Sequence, residues 1–174
     1  MKNFKMLMLA VAGCLSLASC SNDDDNNGVN NNTNADLTGT YRVTSWMAPT
    51  AVDLDGNGTT STNMMMESSC YDDSMMTINQ NGTYTMTYNS AGINGTSLEC
   101  DTETTVGTWT RSGNSFTTSH MSGGQNMSTN YSFQGGSNTT LTRNMNNWQY
   151  PMMNNGTASW GNGNVSMVMT RDVN

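Results

Sequence analysis

The chain has 174 residues and carries 13 acidic against 6 basic side chains, a formal net charge of −7. A surface of that sign repels phosphate backbones and argues against nucleic acid as a partner. One histidine and four cysteines leave little material for acid–base, metal or thiol chemistry.

Residues 1–19 predict a lipoprotein signal peptide. Lys2 and Lys5 supply a positive start, and the run MLMLAVAGCLSLA that follows is too short for a stable membrane span. Its end, Leu17-Ala18-Ser19-Cys20, resembles a bacterial lipobox, in which small residues admit the signal peptidase and the cysteine thiol is acylated. The resemblance implies attachment to outer-membrane lipid through Cys20. Removing the leader leaves Arg42, Arg111, Arg143 and Arg171 as the only basic side chains. Residues 20–36 then read as a flexible acidic and Asn-rich tether, because SNDDDNNGVNNNTNAD has almost nothing apolar to bury. Ser21 to Asp25 resembles the acidic export signal of surface-exposed Bacteroidetes lipoproteins; a solvated linker with no address is the other reading.

Residues 37–174 suit one domain with a single core. Its opening stretch TGTYRVTSWM (38–47) reads as a strand. VDLDGNGTTSTNMMMESSC follows, and here Asp53, Asp55 and Asn57 stand at positions 1, 3 and 5 of a calcium loop. Gly58 is at position 6, the Thr59 carbonyl at 7 and Ser61 at 9. Position 12, where a bidentate glutamate belongs, is Met64; Glu67 lies three residues further on and closes the site only if the loop is longer. An Asx-rich turn that needs no metal explains the same residues, and both readings stay open. Thr62 to Tyr71 invites a short helix.

Strands dominate from there on. SMMTINQ (74–80) and TYTMTYN (83–89) flank Asn81-Gly82, a pair that favours a tight hairpin turn, and Tyr84, Met86 and Tyr88 share one face. TSLECDT (96–102), TVGTWTRS (105–112), SFTTSHM (115–121), MSTNYSF (127–133), TTLTRNM (139–145) and NVSMVMTR (164–171) continue the pattern. Gly113-Asn114 and Gly135-Gly136 supply turns. Asn144 to Gly163 is Asn- and Gly-rich yet holds Trp148, Tyr150 and Trp160, which predicts a packed loop over one end of a barrel. With Cys14 lost in the leader and Cys20 acylated, Cys70 and Cys100 pair by elimination as a disulfide in an oxidising compartment; two buried free thiols are the alternative.

Several of these stretches share a resemblance. Leu37 to Trp46, Cys70 before a strand, Asn81-Gly82-Thr83-Tyr84, and Cys100 followed by Gly107-Thr108-Trp109 are similar to the lipocalin-like lipoproteins of Bacteroidetes, with Tyr41 where those relatives have a tryptophan. The resemblance covers most of residues 37–120. It implies an all-β fold, a single antiparallel up-and-down barrel of about eight strands, whose interior can hold a small apolar molecule.

Catalytic constellations are missing from the pattern. His120 reads as a strand residue, and no serine sits in a nucleophile elbow. Glu99, Asp101 and Glu103 alternate onto one strand face, which solvation alone explains. The 17 methionines suit flexible core filling or an adaptable pocket lining better than a Cu(I) site built on His120, Met121 and Met127. The leading expectation is a lipid-anchored, surface-exposed outer-membrane lipoprotein that binds a small apolar or amphipathic molecule. A filled barrel with a structural or interaction role is the competing one, and an enzyme is disfavoured.

Overall fold

The computed structural model describes residues 37–134 and 139–172. The predicted signal peptide, Cys20, the tether and the Gly135-Gly136 turn lie outside the described residues. The first strand, β1 (Gly39–Val52), leads through a long connection containing the short β2 (Ser61–Asn63) to β3 (Met75–Ile78). A meander follows: β4 (Thr83–Asn94), β5 (Ser97–Ser112), β6 (Ser115–Ser122), β7 (Gln125–Phe133), β8 (Thr140–Asn154) and β9 (Thr157–Arg171). All neighbours pair antiparallel, and β1 pairs with both β3 and β9, so the sheet closes into the expected up-and-down barrel of eight strands, with β2 added on β1.

Side-chain alternation puts one residue in two inside. On β9, Val165, Met167 and Met169 are buried while the residues between them are not. On β1 the buried residues Tyr41 and Val43 are followed by Trp46 and Ala48, a spacing that strict alternation would split between two faces. A register shift between Val43 and Ser45 in the pairing with β9 absorbs the extra residue and keeps all four on the core side. A second shift, between Met145 and Trp148 on β8, includes Asn147 at φ 52° and does the same for the far half of that strand.

The two ends of the barrel differ. At the closed end, where the β3–β4 and β5–β6 turns lie, Phe116 sits 5.6 Å from the Trp109 ring, 5.8 Å from Tyr131 and 6.5 Å from Phe133. Trp109 Nε1 donates to the Asn79 carbonyl at 3.0 Å, and the Arg111 guanidinium lies 4.7 Å over Phe133. Tyr41, fully buried, donates its hydroxyl to the Leu37 carbonyl at 3.2 Å. At the open end the β1–β3 connection packs Met64 and Tyr71 into the core. The disulfide Cys70–Cys100 ties that connection to β5, with Cα atoms 5.0 Å apart.

Four expectations need correction. The helix expected over Thr62 to Tyr71 is instead β2 and two 3-10 turns, Met64–Met66 and Ser69–Tyr71, the second capped by the Ser68 hydroxyl. Residues 96–102 and 105–112 form one continuous strand, β5. Asn81-Gly82 ends a four-residue loop over 79–82 rather than a two-residue turn, with Asn81 Oδ1 accepting from the Thr83 N–H. Asn144 to Gly163 is no loop: β8 and β9 run on through it to a turn at Asn155-Gly156. That extension does lie over the barrel end, since the Ala158 N–H donates to the Thr96 carbonyl at the β4–β5 tip.

Candidate functional site

The open end encloses a hollow of about 560 Å³. Its floor is aromatic: Trp46 from β1 lies 6.2 Å from the Tyr71 ring and 5.3 Å from that of Tyr88 on β4. The β8–β9 extension borders the hollow opposite that floor, with Trp148 and Tyr150 on one face of the hairpin and Gln149, Asn162 and Trp160 on the other; Asn147 and, from β4, Ser90 also line it. Tyr150 is fixed by a 3.0 Å hydrogen bond between its hydroxyl and that of Thr50. Glycines let the wall form, because a Cβ at Gly161 would meet Tyr150 and Met152, and one at Gly163 would meet Pro49.

The floor is desolvated but not saturated with hydrogen bonds. Burial pushes the Tyr71 phenol far above its ordinary range, with a hydrogen bond from the Ala91 N–H offsetting part of the rise. Burial does the same to Tyr88, aided by the neighbouring Tyr71 and opposed by Arg143. Both phenols therefore remain neutral donors at physiological pH. Among the described residues, neither the Trp46 Nε1–H nor the Tyr88 hydroxyl donates to a protein acceptor. No charged side chain lines the hollow. Arg143, on the core-facing side of β8, lies close by, with its guanidinium 5.4 Å over the Trp148 ring and its charge acting on the Tyr88 phenol.

A second cluster lies on the β1–β3 connection. Asp53 accepts the Gly56 and Gly58 N–H groups at 2.8 and 2.9 Å, and Asp55 accepts the Asn57 N–H at 3.1 Å. Asn57 Oδ1 accepts the Thr59 N–H at 2.7 Å, and Ser61 Oγ accepts from Asn63. Gly56 and Gly58 adopt φ of 72° and 84°, conformations that allow the chain to curl around Asp53. Position 12, Met64, is a fully buried core residue. The 3-10 turn that follows swings Glu67 back, so that one carboxylate oxygen each from Asp53, Asp55 and Glu67 lie within 4.8 Å of one another. Glu67 is 4% exposed and its hydrogen bond, from the Leu54 N–H, is long at 3.4 Å. Among the described residues no basic side chain pairs with any of the three.

The remaining candidates do not assemble. His120 is half-buried, 3.3 Å from the Tyr84 hydroxyl through Nδ1. Met127 faces it across the β6–β7 ladder, but Met121 falls on the opposite face, and both methionines are largely exposed. Glu99, Asp101 and Glu103 are exposed along β5. The residues missed from sequence are those of the far wall, Trp148 and Trp160 with their amides; the aromatic residues recurring within an otherwise Asn- and Gly-rich stretch were the available signal.

A closed antiparallel barrel of eight strands, filled at one end and hollow at the other, defines a small-molecule binding class of fold. The chain belongs to the lipocalin-like domain family, whose model matches residues 37–143. No curated protein and no solved structure matches it. The matched segment ends at Arg143, so Trp148, Tyr150 and Trp160 lie beyond it.

Proposed function

We propose that the protein is a lipid-anchored bacterial envelope lipoprotein, similar to those of Bacteroidetes, held in outer-membrane lipid through acylated Cys20 and exposed at the cell surface. Its barrel mouth binds a small amphipathic molecule without catalysing a reaction on it. The observation that carries the binding role is the hollow above Trp46, wide and part-polar, in a barrel whose closed end is packed with its own side chains. Lipocalin-like domains are in general binding folds, which agrees with that role. The test is native mass spectrometry of the protein released from its own membranes, with a co-purifying small molecule as the expected result. Saturable uptake near one equivalent of Nile red, an uncharged dye, with quenching of Trp46, is the complementary measurement; surface-like, unsaturable uptake would return the barrel to a structural role. Cys20→Ala should leave an unprocessed, unacylated precursor by intact mass.

The carboxylate cluster supports a second role, a calcium ion held by Asp53, Asp55 and Glu67 with Asn57 and the Thr59 carbonyl available to complete it. Glu67 carries this reading: a buried carboxylate with one long hydrogen bond, set against two more carboxylates, is costly unless a cation joins them. Calcium should raise the melting temperature by mass action, and magnesium should do so less because it demands a tighter octahedron. Asp55→Ala and Glu67→Gln should each remove most of the calcium shift. Calorimetry with no heat up to roughly millimolar calcium, the range of weak extracellular sites, would leave an Asx-rich turn.

A further inference from the structure

One basic side chain stands on the inner face of the barrel without an acid to meet it. Arg143 pairs with Met167 across β8 and β9, and Met167 pairs in turn with Trp46 on β1, so the three share one row of that face. The buried Leu141 and Met145 lie on the same side of β8. Past the register shift at Met145 to Trp148, the Trp148 and Tyr150 side chains return to that side, which lets the Arg143 guanidinium lie over the Trp148 ring. Arg42 is held by Asp172 at 2.9 Å, and Arg111 donates to the Gly113 carbonyl at 3.0 Å. Among the described residues Arg143 donates to no protein acceptor and pairs with no acid, although it is half-buried and its nitrogens are not sealed from water.

These surroundings suit a single negative charge. A half-buried guanidinium without an acid has given up hydration with no return, and an arriving anion offsets that cost. Tyr84, Tyr88 and Tyr131 are near enough to feel its charge, and all three stay neutral because burial raises them. The Tyr88 hydroxyl lines the hollow and has no protein acceptor, so it adds a second donor. A guanidinium with a neutral hydroxyl matches a carboxylate, which accepts at two oxygens. Glu103 pairs with Tyr88 across β4 and β5 and is exposed on the same face, with Asp101 and Glu99 following toward the β4–β5 tip. Glu103 acts on the Tyr88 phenol but forms no ion pair with Arg143, and it disfavours a ligand with more than one negative charge.

The hollow sets the body of the ligand. Trp46, Tyr71 and Tyr88 give it a floor of flat rings, and Met167, fully buried between Arg143 and Trp46, fills the row down which a long acyl chain would have to pass. A compact ring system stacks on such a floor instead. At about 560 Å³ the hollow falls within the roughly 300–1,000 Å³ of sites that hold drug-sized ligands.

We infer that the barrel mouth takes an amphipathic monocarboxylate with a compact ring body, its carboxylate held by Arg143 and the Tyr88 hydroxyl and its rings laid against Trp46 and Trp148. This rests on the binding role proposed above and deepens it by assigning the ligand's charge and shape. Arg143, Tyr88, Trp46 and Trp148 all stand on the inner face; Gln149 and Asn162, on the other face of the hairpin, take no part.

The test titrates the full mature chain with naphthoate and pyrenecarboxylate, each against its uncharged carboxamide, by tryptophan fluorescence and calorimetry, with Nile red in parallel. At least one carboxylate should bind saturably at one equivalent and on the order of tenfold more tightly than its amide, the worth of one charge-assisted hydrogen bond. Arg143→Met should erase that preference while Nile red uptake stays as it was, which shows the hollow intact. Glu103→Gln, a change at an exposed residue that leaves the core alone, should tighten the carboxylate by about two- to fivefold and leave the amide unchanged. Saturable Nile red uptake with no preference for carboxylate over amide overturns the anion inference and leaves the binding role standing; failure of Nile red and both carboxylates overturns both. Carboxylate binding that neither Arg143→Met nor Glu103→Gln alters overturns the assignment to this site.

Discussion

The closed and open ends of the barrel are built from the same kinds of residue and behave as opposites. At the closed end, Trp109, Phe116, Tyr131 and Phe133 pack ring against ring, with Leu141 and Met169 fully buried among them. At the open end Trp46, Tyr71 and Tyr88 pack as closely, yet they floor a hollow. The difference lies in the strand ladders. β5–β6 pairing covers Thr108 to Ser112, and β7–β8 pairing only Ser132–Thr142 and Phe133–Leu141, all near the closed end. Beyond them the β8–β9 hairpin leans across to the β4–β5 tip, where Ala158 bonds Thr96. Composition does not decide whether a barrel end is core or cavity; the distance over which its strands stay paired does.

The largest expected effect would come from the closed end. Phe116→Ala removes a fully buried ring that touches three others, and should cost about 3–5 kcal/mol, read as a lower urea midpoint with unchanged slope. A loss under roughly 1 kcal/mol would show that this end is not the packed one and would break the contrast.

At the open end the disulfide takes over the role that packing plays below. It closes a separation of 30 residues, so Cys70→Ser with Cys100→Ser should cost about 3–4 kcal/mol on chain-entropy grounds. Nile red affinity should fall with it, since Tyr71, next to Cys70, is part of the floor. Identical melting curves with and without reductant would remove the disulfide from this account.

Alkaline pH probes both ends together. Burial raises the phenol pKa of Tyr41, Tyr84 and Tyr131 as well as of Tyr71 and Tyr88. Because the folded values lie above the unfolded value of about 10, the unfolded chain gives up these protons first. Their contribution to stability is fully present below about pH 10 and is lost as pH rises through the folded values. Phenolate absorbance from these residues should therefore appear together with unfolding. A phase that titrates in the still-folded protein would mark phenols other than Tyr71 and Tyr88, which burial holds far above the ordinary range.

Trp160→Ala should have the smallest effect on stability, within about 0.5 kcal/mol, because nearly half of the residue is exposed. It should nevertheless change ligand uptake more than Phe116→Ala does per folded molecule. The reverse ranking would mean that the cavity is not where binding occurs.

Much of this was readable in residue order. The β-rich pattern, the turns at Gly113-Asn114 and near Asn81-Gly82, and the alternation that buries Tyr84 and Met86 are local properties, set by side-chain period and backbone preference. Cys70 and Cys100 were paired by elimination, and the glycines that curl the chain around Asp53 stand at positions where only a positive φ will serve. The far wall was not readable. Asn and Gly are poor strand formers, and the register shift at Met145 to Trp148 breaks the alternation, so residues 144–163 carry no local strand signal. They are strands because each finds a partner across the hairpin and a surface to lie on, Gly163 on Pro49 and Ala158 on Thr96. Glu67 reached the acidic loop in the same way, through a 3-10 turn whose position depends on burying Met64. Local spacing determined which segments are strands and turns. Closure of β1 onto β9, the hollow above Trp46 and the gathering of three carboxylates were decided by contacts between residues far apart in the chain, which no window of sequence contains.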